Sequence, residues 1–241
     1  MTDDRPLARR IGLLVPASNS NAEPLTAAVL SGIPHVEVFA TRFRLPPSLS
    51  AEIDDSVLGE SVSLIAEIEP DVVAFHGTAG SWTGIERDRR MAGRLAERTG
   101  AQAGTTATQA MVAALRTLRA TRISLVFPGS SAIVDGIADE LSELGIEVAA
   151  RSALASDLTN PEIAALSSEE VARLVSAGIV EGIDAVLCVG TNLRAGYLLE
   201  RLEQDNGLPI IDSAVALAWH ALRLAGIHDQ IPGWGSLLRM H

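Results

Sequence analysis

One phrase is written twice in this chain: DVVAFHGTAG runs from Asp71 to Gly80, and DAVLCVGTNL runs from Asp184 to Leu193. Each copy is an acidic residue, a short apolar run and a Gly-Thr turn. Two further segments return in the same order and at nearly the same spacing. RIGLLVPASN from Arg10 reappears as RISLVFPGSS from Arg122, and GAQAGTTATQAMVAAL from Gly100 faces GLPIIDSAVALAWHAL from Gly207. Any alternation of strands and helices produces isolated matches of this sort, so one alone would carry little. Three in register point to a duplicated unit. The lobes implied are 7–118 and 119–226, followed by a C-terminal tail at 227–241, with the last helix of the second lobe a candidate to pack back on the first.

Short apolar runs ending in Pro, Gly, Ser or Thr alternate with longer amphipathic stretches, the rhythm of strand, loop and helix. Strands are expected at Ile11–Val15, Val36–Ala40, Val72–Phe75, Ala103–Thr105, Ile123–Val126, Val148–Ala150, Ala185–Cys188 and Ile210–Ile211. Helices are expected at Glu23–Ser31, Asp54–Glu67, Trp82–Arg98, Ala107–Leu118, Ile133–Leu144, Ser168–Glu181, Ala195–Gln204 and Ala214–Leu224. Hydrophobic residues make up 47% of the chain but aromatic ones only 3%. The core must then be filled by Ala, Val, Leu and Ile, as in helix-covered parallel sheets. The expected class is α/β: two pseudo-twofold related lobes, each a mostly parallel sheet flanked by helices. Ligands of such folds sit beyond the carboxyl ends of the strands. That puts the active-site cleft between the lobes, where both Gly-Thr turns gather.

Thirty acidic against nineteen basic side chains give a net charge of -11, which repels phosphate backbones and anionic lipid surfaces. Neither nucleic acid nor membrane is an expected partner. The apolar run IGLLVPA behind the charged opening is too short for a signal peptide or a membrane span, so the chain reads as cytoplasmic. The single cysteine, Cys188, excludes an internal disulfide and a thiolate metal cage, and the five histidines have no ligand spacing. No metal and no cofactor is expected. A homo-oligomer is left open.

The turns carry the chemistry. At Gly77-Thr78-Ala79-Gly80-Ser81 a buried strand ends and a helix begins, so peptide N–H groups join the Thr78 and Ser81 hydroxyls as a receptor for a carboxylate or oxyanion. Gly190, Thr191 and Asn192 repeat the arrangement. Either turn alone would be explained by capping and tight-turn chemistry. The pair at related positions favours a small carboxylate substrate. In VPASNSNAEP most of the short polar residues are helix caps, and Asn19 is the one expected to point at the ligand.

Taken together, RIGLLVPASNSNAEP, DVVAFHGTAGSW, GTTATQAMVAALRTL, RISLVFPG, DAVLCVGTNLRA and GLPIIDSAVALAWHALRLAG resemble the aspartate/glutamate racemase superfamily, specifically its maleate isomerase and arylmalonate decarboxylase branch. The resemblance implies a cofactor-free enzyme holding a small carboxylate between its lobes. Isomerases and racemases of this kind place a cysteine at each Gly-Thr frame, and the decarboxylases keep only the second, which protonates an enediolate. Here the two positions match Gly77 and Gly190. Gly129 stands where the family commonly has a tyrosine that bonds the substrate carboxylate, and Ala79 lacks the hydroxyl the decarboxylases carry.

Proton transfer is left with few agents. Cys188 lies two residues before Gly190, a displacement of about 6.6 Å along a strand. It is either a shifted proton donor or a core thiol. His76 titrates in a useful range, but strand alternation can aim it away from the face shared by Phe75 and Gly77. Glu23, Asp212 and Ser213 are weaker candidates, each explained by capping or a turn, and His220 sits mid-helix beside Trp219. The leading expectation is a decarboxylase-like lyase that stabilises an enediolate with the two Gly-Thr turns. The alternatives are a maleate isomerase-like enzyme using Cys188, a hydrolase using the same turns, and a carboxylate-binding protein without catalysis.

Overall fold

The structure, a computed structural model, describes residues 8–46, 48, 51, 53–156 and 158–240. The first half runs β1 (Arg9–Pro16), α1 (Ala22–Leu30), β2 (Val36–Phe43), α2 (Asp55–Leu58), α3 (Ser61–Ala66), β3 (Val72–Phe75), α4 (Gly80–Thr83), α5 (Ile85–Thr99), β4 (Ala103–Thr106) and α6 (Ala107–Leu118). The second runs β5 (Arg122–Phe127), α7 (Ser131–Glu143), β6 (Glu147–Ala153), α8 (Asn160–Ala164), α9 (Ser168–Ala177), β7 (Ala185–Cys188), a 3₁₀ turn at Ala195–Leu198, α10 (Leu199–Asn206), β8 (Ile210–Asp212) and α11 (Ser213–Leu224).

The strands form two four-stranded sheets, ordered β2-β1-β3-β4 and β6-β5-β7-β8, with every pairing parallel. The permutation is the same in both, which is the duplication heard in the sequence. The acidic residue that opens each repeated phrase has the same task twice. Asp71 accepts a hydrogen bond from the N–H of Arg10 at 2.8 Å, and Asp184 accepts one from the N–H of Arg122 at 2.9 Å. Each carboxylate thus fastens the start of one central strand to the start of its neighbour. The apolar runs that follow, VVAF in β3 and AVLC in β7, are buried throughout, as strands covered on both faces must be.

All eight expected strands form. Helix boundaries differ where glycine interrupts the apolar period. The helix expected over Asp54–Glu67 is two short helices meeting near Gly59, and that expected over Trp82–Arg98 breaks at Gly84, whose φ of 127° belongs to glycine. The first turn of the expected Ala195–Gln204 helix is 3₁₀. Helix α8 has no counterpart in the sequence reading. It is held by a capping box in which Thr159 and Glu162 bond one another's chain.

Buried side chains from both halves join in one core that includes β1, β5, β7, α6 and α11, while Leu14, Phe43, Val73, Phe75 and Leu95 form a smaller cluster under α3 and α5. Helix α11 closes the second half of the sequence but lies against α6 and α1 of the first. His220 Nδ1 on α11 meets Thr105 Oγ1 on β4 at 2.8 Å.

Candidate active site

A cavity of ≈ 460 Å³ opens at the carboxyl ends of the strands, between the two sheets. Its polar walls come from four turns: Pro16–Asn19 after β1, His76–Ala79 after β3, Phe127–Gly129 after β5 and Gly190–Asn192 after β7. Leu45, Ile53, Trp82, Phe127, Leu158 and Ile163 contribute apolar surface. Trp82 and Phe127 meet edge-on across it, with ring centroids 5.7 Å apart.

The turn after β3 keeps its donors free. The N–H groups of Gly77, Thr78 and Ala79 have no acceptor among the described residues, and the Thr78 hydroxyl has no partner there. Thr78 O instead accepts the N–H of Ser81 at 2.9 Å, which rolls the chain into α4. Ser81 is not a wall of the cavity: its Oγ turns inward to Thr108 Oγ1 at 3.1 Å, an anchor on α6. Gly77 has no side chain because none fits as the neighbouring side chains stand. A Cβ there would fall 2.5 Å from the ring of Phe75.

The turn after β7 is built differently, despite the shared sequence. Its peptide N–H groups at Gly190, Thr191 and Asn192 are likewise unpaired among the described residues. Its side chains, however, are already committed, Thr191 to the opposite lobe and Asn192 to both. Thr191 Oγ1 accepts from Asn19 Nδ2 at 2.9 Å and donates to His76 O at 3.3 Å, while Asn21 Nδ2 reaches Thr191 O at 2.9 Å. Asn192 Oδ1 accepts the N–H of Ser20 at 3.2 Å, and its Nδ2 donates to Asn160 O at 2.6 Å. Asn160 in turn donates to Ser18 Oγ at 2.9 Å. Asn19 completes this stitching by accepting the N–H groups of Asn21 and Ala22 at 2.8 and 3.0 Å, so it caps α1 as well as lining the cavity. Gly129 lines the opposite wall, its backbone tied to Phe127 O and Leu154 N.

Gly190 has φ 123°, a conformation that L side chains rarely adopt, and a Cβ there would stand 3.4 Å from the Pro128 ring. The thiol of Cys188 does not reach the cavity. It is fully buried on β7 opposite Asp212 of β8, and burial, reinforced by the Asp212 charge, pushes its pKa well above the ordinary thiol range. The two-residue displacement along the strand is thus not recovered by any shift of the strand end. Asp212 itself caps α11 through Ala214 N and Val215 N and accepts Gly196 N at 3.0 Å.

His76 contributes to the cavity wall, but both ring nitrogens are sealed from solvent and have no hydrogen-bond partner among the described residues. Burial holds its pKa down to about 4, so the ring is neutral near pH 7. The nearby charges are Glu23 and Arg42. Those two pair with each other at 2.5 Å, and Arg42 also donates to Ala17 O and Asn19 O, steadying the loop after β1. His220 is likewise held down to about 4 by burial, and Ser213 Oγ is buried without a partner among the described residues. No group of three or more His, Cys, Asp or Glu residues among the described residues is arranged to hold a metal.

One buried acid behind the first turn escaped the sequence reading. Asp88 on α5 is 3% exposed and accepts hydrogen bonds from Thr106 Oγ1 and, at 3.0 Å, from Gln109 Nε2. The available signal was its place on the apolar stripe Ile85, Met91, Ala92, Leu95, where an acid has no business unless it is bonded.

A cleft between duplicated parallel sheets, walled by paired turns whose peptide N–H groups are free among the described residues, defines a two-lobed α/β fold with a candidate site at its strand ends. The chain belongs to the arylmalonate decarboxylase family, which matches residues 11–238. It is therefore an enzyme of the cofactor-independent lyase and isomerase kind. Among curated relatives, the maleate isomerase of Nocardia farcinica is 29% identical over 96% of this chain and 96% of its own length. The maleate isomerase of Pseudomonas putida is 24% identical over 95% and 96%. The crystal structure of the Nocardia farcinica maleate cis-trans isomerase with a covalently bound succinylcysteine intermediate superimposes with a TM-score of 0.85 at 27% identity, covering 96% of this chain and 98% of that one. An arylmalonate decarboxylase structure shares the fold at a TM-score of 0.79 and 22% identity, covering 95% and 98%.

Proposed function

We propose that this chain is a thiol-independent, decarboxylase-like lyase for a small carboxylate that carries an apolar arm. The observation that carries the reading is the turn at Gly77–Ala79, which lines the cavity and whose N–H groups and Thr78 hydroxyl have no partner among the described residues. Preorganised donors of this kind stabilise charge as it develops on an oxygen, which is what loss of carbon dioxide from a malonate-type substrate requires. The breaking C–C bond leaves its electron pair on the remaining carboxylate as an enediolate. Thr78 and the peptide N–H groups hold that oxyanion, and water delivers the proton to carbon, its hydroxide combining with the carbon dioxide as bicarbonate. The apolar walls formed by Leu45, Ile53, Trp82 and Phe127 suit the arm.

The position of the thiol favours the lyase reading over isomerisation. A cysteine adduct, as captured in the Nocardia isomerase, needs a sulfur at the substrate, and Cys188 is not among the walls of the cavity. The test is a panel of aryl- and alkylmalonates assayed for carbon dioxide release in deuterated water, with maleate as the isomerase control. Turnover with one deuterium incorporated, lost in Thr78→Val and kept in Cys188→Ala, is the expected result. Fumarate formed from maleate, abolished in Cys188→Ala, would overturn the proposal.

A further inference from the structure

The buried acid Asp88 lies behind the receptor turn, out of the cavity, and no cation is paired with it among the described residues. Burial lifts its pKa to about 6 against the lowering effect of Thr106 and Gln109. An unpaired carboxyl in this position opposes folding whenever it is charged, so packing alone does not account for it. Its surroundings supply another reason. On one side it is fixed by rigid elements: Thr106 closes β4 and caps α6 by accepting the Gln109 N–H at 3.0 Å, and Gln109 Nε2 also reaches Ile85 O at 2.9 Å. On the other side the carboxyl is pressed against the backbone of Gly80, where an added Cβ would lie 2.3 Å from Asp88 Oδ1.

We propose that Asp88 is the positioning residue of the first Gly-Thr turn: wedged between the β4–α6 corner and Gly80, it sets the height at which Thr78 and the free N–H groups meet a bound carboxylate. The inference rests on the reading that this turn receives the carboxylate. Gly80 is a point of contact because the lack of a side chain lets the acid close on its Cα. The turn is pinned on its far side by Ser81 to Thr108, so Gly80 can move only by carrying Thr78 and Ala79 with it. A shift of a fraction of an ångström at the turn changes donor geometry at the ligand, which is where positioning acts.

The test is calorimetry with phenylacetate, an unreactive carboxylate with an apolar arm, on Gly80→Ala, Asp88→Ala, Asp88→Asn and the Gly80→Ala/Asp88→Ala pair, with Thr78→Val alongside. Gly80→Ala and Asp88→Ala each weaken binding by about tenfold. The double variant binds more tightly than Gly80→Ala alone, because the truncated acid vacates the volume the new methyl needs. Asp88→Asn keeps the shape and an acceptor for Thr106, and it restores affinity to within about threefold of the natural chain. If Asp88→Ala does not fold, Gly80→Ala and Asp88→Asn still decide the matter. Wild-type affinity in a folded Gly80→Ala, or a tenfold loss in a folded Asp88→Asn, overturns the positioning role while Thr78→Val still weakens binding. Unchanged affinity in Thr78→Val instead removes the receptor reading itself and the role of Asp88 with it.

Discussion

Asn19 Nδ2 and Thr191 Oγ1 meet at 2.9 Å across the cleft, joining the loop after β1 to the turn after β7. The threonine whose sequence context copies that of Thr78 is thereby spent on holding the lobes together. Thr191→Val and Asn19→Ala are each expected to lower unfolding free energy by about 1–2 kcal/mol, because each strands a buried polar partner. The double variant should fall short of the sum, revealing a coupling of about 1 kcal/mol. Urea titration of the four proteins measures this, and strict additivity would show that the two groups do not interact.

Cys188 is expected to be inert. Full burial and the raised thiol pKa leave no accessible thiolate, so iodoacetamide should label the folded chain only as fast as it opens. Cys188→Ala should lose about 1 kcal/mol of stability, as a small core truncation does, with turnover retained. Fast stoichiometric labelling with parallel loss of activity would restore a thiol mechanism.

Four buried groups pull stability in opposite directions with pH. Burial lifts Asp88 and Asp212 to about 6, above the 3.8 of a free aspartate, so the folded chain holds their protons more tightly. Their contribution is complete below the free value and is lost as pH rises through 6. Burial holds His76 and His220 at about 4, below the free value of 6.5. Theirs is complete above the free value and is lost as pH falls through 4. The two pairs offset each other between about pH 4 and 6.5. Asp88→Asn should therefore make stability climb more steeply with pH across that window, and His220→Gln should make it climb less. Urea midpoints across the window decide this, and parallel profiles for both variants and the natural chain would count against it.

Much of this architecture was legible because its signals are local. Eight short apolar runs ending at turns predict the strands, and the repeated Asp and Gly-Thr frames mark corresponding points of the two sheets. What escaped depends on contacts distant in sequence. Thr78 and Thr191 look alike in the chain, yet only Thr191 meets Asn19 and Asn21 from the other lobe. Ser81 reads as a ligand donor until Thr108 is placed beside it. Asp88 carries no motif because its partners Thr106 and Gln109 arrive from another strand and helix. The sealing of both His76 ring nitrogens, in a residue that still lines the cavity, likewise depends on neighbours that strand alternation does not name.

Restoring the family thiol at the second turn should be costly. Gly190→Cys places a side chain on a backbone at φ 123°, beside the Pro128 ring. The expected loss is about 1–3 kcal/mol, visible as a lower melting temperature. A variant as stable as the natural chain would mean that the turn relaxes to accept a side chain.

The crossing of α11 onto α6 and α1 bears on how molecules are admitted to the cavity. A clam-shell that opened by swinging its halves apart would have to peel this helix off α6 and α1 and expose the apolar surface packed between them. The hydrophobic penalty of doing so is several kcal/mol, far more than a hinge in each catalytic cycle can bear. At the roof of the cavity the short helix α8 is held instead through Asn160 to Ser18 and Asn192. Those are hydrogen bonds that water can replace, so the roof is held by polar contacts while the halves are clasped by apolar ones.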